Sequence, residues 1–162
     1  MELSITPQAL FDYLNEIHHF DLDVVASKEN AKCSSFFSEE LDALSRPWFC
    51  HSAWANYPYS AQHPLHTWIT KAYGEVFVRK HCDRLIMLLP CDTSTQYFHE
   101  YFWQYSQPKP YLVDLYFIPC RVHFSGLKQA PSFASMLVGF GTKVFPYPEQ
   151  EPTRLEWLRL CK

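Results

Sequence analysis

Glycine is scarce in this chain of 162 residues. The four glycines are Gly74, Gly126, Gly139 and Gly141, and they form neither the G-x-G-x-x-G turn of dinucleotide-binding folds nor a phosphate-binding loop. Both motifs use glycine because the backbone has to approach a phosphate closely. The sequence therefore does not favour chemistry on nucleotide phosphates.

Long apolar runs are also missing. No run approaches the ~20 residues that span a bilayer. The first four residues lack the basic and then apolar order of a signal peptide. We therefore expect a cytoplasmic protein.

Spacings that typically hold a metal ion are absent as well. The six cysteines contain no C-x-x-C pair, and the eight histidines contain no H-x-x-x-H pair. We therefore predict no metal site and no disulfide framework, and we expect the cysteines to be buried thiols.

The chain has no strong excess of positive charge. Its net charge is −3 and its pI is near 6.2, which argues against a surface that binds nucleic acid over its whole area. Any contact with DNA has to be local. Two basic groups are candidates for phosphate contacts. The first is Arg121, His123 and Lys128, and the second is Arg79, Lys80 and Arg84. The alternative is that these residues are ordinary solvated surface charges.

Apolar and aromatic residues are plentiful. They make up 48% and 17% of the chain, enough for a folded core. The length fits one domain over residues 1–162. We expect its core in about 4–141 and a tail or helix in 142–162.

Helical and strand patterns alternate along the chain. Thr6 and Pro7 are predicted to be the cap and first residue of a helix, and further helices are expected near 65–77, after residue 92 and after residue 152. Strands are predicted at 20–26, 52–55, 85–89, 111–118, 122–124 and 135–140. This alternation indicates an α/β fold with an open, mostly parallel sheet, whose ligands bind at the carboxyl ends of the strands. Residues 27–30 and 56–59 fall at such ends, and we expect Asp23 and Asn56 to lie at the carboxyl ends of neighbouring strands.

The tetrapeptide Asn56-Tyr57-Pro58-Tyr59 has the groups needed to methylate an exocyclic amine. The asparagine side chain and a backbone carbonyl can accept the two amine hydrogens, which localises the nitrogen lone pair for attack. A tyrosine face can stack on a base that has left the duplex, for about 1–3 kcal/mol. The alternative is a simple Asn-Pro turn with a packing tyrosine.

Several motifs in order resemble those of the Dam-type DNA N6-adenine methyltransferases of phages and prophages. The helix start T-P-x-x-L-F is present at 6–11, F-D-L-D-V-A-A is matched at 20–26, and N-A-K-C lies at 30–33. The N-P-P-Y-S element is similar to residues 56–60, and L-L-P-A-D-T-S-T-x-W-F is similar to 88–98. The family's D-G-L element with a later tryptophan is similar to residues 42–44 with Trp48. Its G-R-x-x-F element is similar to residues 120–124.

This resemblance implies a Rossmann-like methyltransferase fold that binds S-adenosylmethionine and methylates adenine N6 in duplex DNA after flipping the base. It also implies a phage- or prophage-encoded protein acting in the host cytoplasm. The catalytic residues by this resemblance are Asn56, Tyr57, Pro58 and Tyr59, and the cofactor-binding residues are Thr6, Pro7, Asp23, Asn30 and Asp42. For Asp23 and Asp42, the alternative to cofactor binding is a local structural role, in which the side chain caps a helix or supports a turn.

Tyr57 stands where the family has proline, and its ring is expected to decide between two functions. If the ring points away from the pocket, Pro58 keeps the Tyr57 carbonyl available and the chain is an active methyltransferase. If the ring fills the base site, the chain is a catalytically inactive relative that binds DNA or a host protein in an anti-restriction or regulatory role. Val25, Ala43 and Cys120 also differ from the family's smaller residues.

Overall fold

Strands and helices alternate along the chain, as the sequence pattern predicts. The computed structural model describes residues 5–58, 60–104, 107–108, 112–129 and 131–162. The strands in these ranges are β1 (Leu22–Asp23), β2 (Cys50–Ala55), β3 (Cys82–Pro90), β4 (Trp103–Gln104), β5 (Gln107–Pro108), β6 (Val113–Phe117) and β7 (Ser135–Phe140). The α-helices are α1 (Gln8–His18), α2 (Leu65–Tyr73) and α3 (Arg154–Leu160).

Five strands form one open sheet in the order β1-β2-β3-β7-β6. The pairs β1–β2 and β2–β3 are parallel, whereas β7 is antiparallel to both of its neighbours. Strand β6 therefore runs in the same direction as β1, β2 and β3. The predicted α/β class and open sheet are confirmed, but two of these four pairings are antiparallel. Strands β4 and β5 form a separate antiparallel pair.

Both faces of the sheet are covered. Alternate residues of β3 point to opposite layers, so that Leu85 and Met87 pack on the side of α2 and Ile86 and Leu88 pack on the side of α1 and α3. Burial on both faces explains why β3 is a nearly continuous apolar run. None of the described helices has the length and apolar content needed to cross a bilayer.

Helix α1 begins one residue later than predicted. Pro7 is its N-cap, and no side chain caps the helix, so the prediction that Thr6 caps it and Pro7 is its first residue was wrong. Pro7 fits this place because it has no backbone N–H to satisfy. The Thr6 hydroxyl instead accepts a hydrogen bond from Asn56.

Two predicted strands differ in the structure. Residues 122–124 are not a strand. Val122 and Phe124 belong to the same buried cluster as Trp157 of α3, and the next residue, Ser125, forms an isolated bridge with Ile5. An alternating apolar pattern does not distinguish this packed loop from a strand. Strand β1 is also shorter than the predicted 20–26, although Val24 N–H still bonds to the Trp54 carbonyl.

All six cysteines are free thiols. Cys82 and Cys161 are buried, which agrees with the prediction, whereas Cys33, Cys50, Cys91 and Cys120 are only partly buried.

Candidate active site

Asp23 and Asn56 lie side by side at one edge of the sheet. Asp23 ends β1, Asn56 follows β2, and the two parallel strands are hydrogen-bonded neighbours with Asp23 opposite Trp54. The prediction that these residues lie at the carboxyl ends of neighbouring strands is confirmed. Parallel pairing brings them together because both strands end at the same edge.

A polar cleft of about 30 Å³ lies at this edge, and Thr6 forms part of its wall. Its polar lining residues are Thr6, Asp23, Asn30, Lys32 and Asn56, and its apolar ones are Ile5, Val25 and Trp54. The structure therefore brings together three of the predicted cofactor-binding residues and the predicted catalytic asparagine. Lys32 and Ile5 line the cleft without having been predicted from the sequence, although Lys32 lies within the motif matched at 30–33 and Ile5 directly precedes the one at 6–11.

The amide of Asn56 is oriented by Thr6. Nδ2 of Asn56 donates to Oγ1 of Thr6 over 3.0 Å, and Thr6 is only 3% exposed. In this arrangement Nδ2 faces Thr6, so the accepting oxygen Oδ1 is the branch of the amide that is turned away from Thr6. The two residues are 50 positions apart in the chain.

Asp23 is a buried carboxylate in this cleft, with 3% exposure. Its Oδ2 accepts a hydrogen bond of 3.0 Å from the backbone N–H of Lys32. Burial raises the pKa of Asp23 to about 6, against the opposing effect of hydrogen bonds from the Lys32 and Val25 backbone. A carboxylate held in this way is suited to bind an ammonium group or hydroxyls of a ligand.

Asn30 supports the turn that borders the cleft. Its Oδ1 accepts from the backbone N–H of Ser27 over 2.6 Å, and Ala31 N–H bonds to the Ser27 carbonyl. Asn30 thus lines the cleft and also holds residues 27–31 in place.

An apolar pocket of about 120 Å³ adjoins the polar cleft at Val25, which lines both. Asp42, Ala43 and Trp68 of α2 are among its lining residues. Asp42 has a left-handed backbone, with φ of 47°, at the end of a short 3₁₀ turn. A wider groove of about 820 Å³ continues outward from this pocket and shares Val25, Phe37, Ser38, Glu39 and Pro58 with it.

The ring of Tyr57 is buried in the core and not in the cleft. It is 4% exposed, it stacks on Trp68, and it is not among the residues that line the cleft, the pocket or the groove. Its hydroxyl has no hydrogen-bond partner within the described part of the chain. Burial raises the pKa of Tyr57 well above its usual value.

The other predicted site residues are placed differently. Pro58 lines the apolar pocket and the groove, and Asp42 lines the pocket. Pro7, at the N-cap of α1, is not among the lining residues of these cavities. Tyr59 lies outside the described residues. Among the residues that differ from the family pattern, Val25 and Ala43 line the cavities, whereas Cys120 packs against Cys161.

The two basic groups lie at different places. Arg79, Lys80 and Arg84 lie near the start of β3, at the end of the strands opposite Asn56. Arg79 pairs with Glu75, whereas Arg84 donates to the His18 carbonyl. Arg121 follows β6 and donates to the Pro131 carbonyl over 3.1 Å. Within the described ranges, no group of three or more His, Cys, Asp or Glu side chains is placed to hold a metal ion.

Comparison with known proteins places this site in a family. Residues 2–118 match the profile described as DNA N-6-adenine-methyltransferase (Dam). The DNA N-6-adenine-methyltransferase of Escherichia phage T1 is 36% identical over 107 residues, which cover 61% of this chain and 40% of the phage protein. The chain thus spans less than half the length of this relative. Because the family profile covers most of the chain, including Asp23 and Asn56, the chain belongs to the Dam family of DNA N-6-adenine-methyltransferases.

Proposed function

We propose that this chain transfers a methyl group from S-adenosylmethionine to adenine N6 in DNA, as a phage-type enzyme acting in the host cytoplasm. The observation that carries the proposal is the polar cleft in which Asn56, oriented by Thr6, lies beside Asp23. Family membership and the phage relative support the same reaction and a Rossmann-like methyltransferase fold.

The residues that line the two adjoining cavities have chemistry suited to the two halves of the cofactor. The polar cleft has the carboxylate of Asp23 for an ammonium or hydroxyl group, with Thr6 and Asn30 as further polar partners. The apolar pocket has Ala43 and Trp68 for an adenine ring, with Asp42 for the adenosine hydroxyls. Pro7 does not line either cavity, and it is proposed to act indirectly, as the N-cap of α1 next to Thr6. When bound, S-adenosylmethionine supplies an electrophilic methyl group.

Asn56 and the Tyr57 backbone carbonyl are proposed to accept the two hydrogens of the target amine. These bonds would localise the lone pair on N6 toward the bound cofactor. The cofactor would supply the methyl group and keep the electrons of the broken S–CH3 bond as a neutral thioether, and N6 would release one proton to solvent. Because Thr6 orients the amide before substrate binds, little reorganisation is needed at the moment of reaction. Tyr59 is proposed to stack on the flipped adenine.

The position of the Tyr57 ring supports an active enzyme over an inactive relative. The hypothesis of an inactive relative requires the Tyr57 ring to occupy the base site, but the ring packs on Trp68 in the core. Pro58 restricts Tyr57 to an extended backbone, which takes over part of the role of the proline that the family has at this position.

A direct test is methyl transfer to two matched DNA duplexes, one with ordinary adenine and one with every adenine replaced by N6-methyladenine. The proposal predicts label from the methyl donor in the first duplex only, recovered as N6-methyl-2′-deoxyadenosine after digestion. Label in cytosine, or equal label in both duplexes, contradicts it.

A further inference from the structure

Glu75 is a fully buried carboxylate outside the cleft, with 0% exposure. It lies in the π-helical turn Gly74–Val78 that continues α2. Its Oε1 accepts from Lys71 over 2.7 Å and from Arg79 over 3.4 Å, and its Oε2 accepts from His81 over 2.8 Å. Burial raises the pKa of Glu75, but hydrogen bonds from Lys71, Trp48 and His81 outweigh burial and hold that pKa below its usual value.

One partner of Glu75 belongs to the segment that walls the apolar pocket. The backbone N–H of Trp48 donates to Oε2 over 2.9 Å, and the indole Nε1 of Trp48 donates to the Ala43 carbonyl over 2.8 Å. Trp48 is itself 0% exposed, and the Lys71 ammonium lies 5.8 Å from the centre of its ring. Trp48 therefore joins Glu75 to Ala43 through two hydrogen bonds, one from its backbone and one from its side chain.

Another residue of the pocket lining belongs to the same helix. Trp68 of α2 lines the pocket directly, and Glu75 follows α2 by two residues. Trp48 thus connects the pocket lining at Ala43 to the turn that continues the helix of Trp68. Buried ion pairs contribute little net stability on average, and their best-attested use is to specify one arrangement of packed elements.

We infer that Glu75 is a positioning residue for methyl-donor binding: through Trp48 it fixes the wall of the apolar pocket formed by Asp42 and Ala43. This inference rests on the proposed function, which assigns that pocket to the adenosine portion of the cofactor. Glu75 does not touch the cofactor, so its effect is on donor affinity and not on the chemical step.

Four variants test the inference: Glu75→Gln, Trp48→Phe, the double variant and Val138→Ala. Trp48→Phe keeps an aromatic ring and the backbone bond to Glu75, but it loses the bond to Ala43. Val138 is a buried residue of β7 that does not line the pocket, and it serves as a control for general loss of packing. S-adenosylmethionine affinity is measured by calorimetry, and KM for donor, KM for DNA and kcat are measured by methyl transfer.

We expect Glu75→Gln and Trp48→Phe each to weaken donor binding by about tenfold, the effect of one lost hydrogen bond to a charged or buried group. In both, kcat and KM for DNA should stay within about twofold, and the double variant should be no worse than the weaker single variant because the two act in one chain of contacts. Val138→Ala should lower thermal stability without changing donor affinity.

The results that overturn the inference are distinct from those that overturn the proposed function. If the wild type binds donor and Trp48→Phe binds it equally tightly, Glu75 has only a structural role and the inference is wrong. Since Trp48→Phe leaves Glu75 and its ion pairs intact, this result is decisive even if Glu75→Gln fails to fold. If the wild type binds no donor, the proposed function fails and the inference falls with it.

Discussion

The ring of Tyr57 stacks on the indole of Trp68, with ring centroids 5.2 Å apart and planes inclined by 16°. The residue that replaces the family's proline therefore packs the loop after β2 against α2. Its side chain has a structural role in the core, while its backbone stays beside Asn56 at the sheet edge. The two roles are compatible because side chain and carbonyl point in different directions along an extended chain.

The buried hydroxyl of Tyr57 leads to a stability prediction. It has no hydrogen-bond partner among the described residues, and an unsatisfied buried polar group costs about 1–3 kcal/mol. We expect Tyr57→Phe to raise the free energy of unfolding by about 1 kcal/mol in urea denaturation. Tyr116→Phe is the matched control, since that hydroxyl bonds to Glu151 and Trp157, and it should destabilise. Equal effects of the two changes would show that the Tyr57 hydroxyl is satisfied.

Asp23→Asn is expected to stabilise the fold at alkaline pH. The pKa of Asp23 is about 6 in the folded protein, against 3.8 for an unperturbed aspartate. Between pH 3.8 and about 6, the folded protein therefore keeps a proton on Asp23 that the unfolded chain has lost. The stability that Asp23 contributes is therefore complete below pH about 4 and is lost as pH rises through 6. At pH 8 the asparagine variant should be more stable by up to about 3 kcal/mol, and near pH 4 the difference should vanish. Urea unfolding at both values measures this.

The same carboxylate is expected to control donor binding. Protonation below pH about 6 removes its charge, so affinity of the wild type for S-adenosylmethionine should fall as pH drops through this value. Asp23→Asn should bind donor weakly at every pH. A variant with wild-type affinity contradicts the assignment of Asp23 to the cofactor.

Thr6 is expected to act through Asn56. Thr6→Val keeps the shape but removes the acceptor for the Asn56 amide, so we expect kcat to fall by about tenfold, the effect of one misoriented hydrogen bond. Thr6→Ser restores the hydroxyl and should restore most of the rate. If valine and serine variants behave alike, the hydroxyl does not orient Asn56.

The sequence predicts the site better than it predicts the surroundings of each side chain. The convergence of Asp23 and Asn56 follows from strand patterns alone, since parallel strands end at a common edge. Helix α3 is also predictable, because Thr153 and Glu156 form a capping box ahead of it. The contact between Thr6 and Asn56 is not, because no local pattern reports a hydrogen bond between residues 50 positions apart.

The direction of the Tyr57 ring is likewise outside what a linear pattern contains. It depends on space beside Trp68, which exists only once α2 has packed on the sheet. The predicted strand at 122–124 was wrong for a related reason. Val122 and Phe124 are both buried without pairing in a sheet, and burial produces the same apolar alternation as a strand.

The most direct test of the central claim compares the wild type with Asn56→Ala in two measurements, labelled-methyl incorporation into unmethylated DNA and calorimetric binding of S-adenosylmethionine. Asn56 is proposed to act on the base and not on the cofactor, so the alanine variant should lose about 10²-fold or more in transfer while its donor affinity stays nearly unchanged. Wild-type protein that neither incorporates label nor binds the donor would contradict the account.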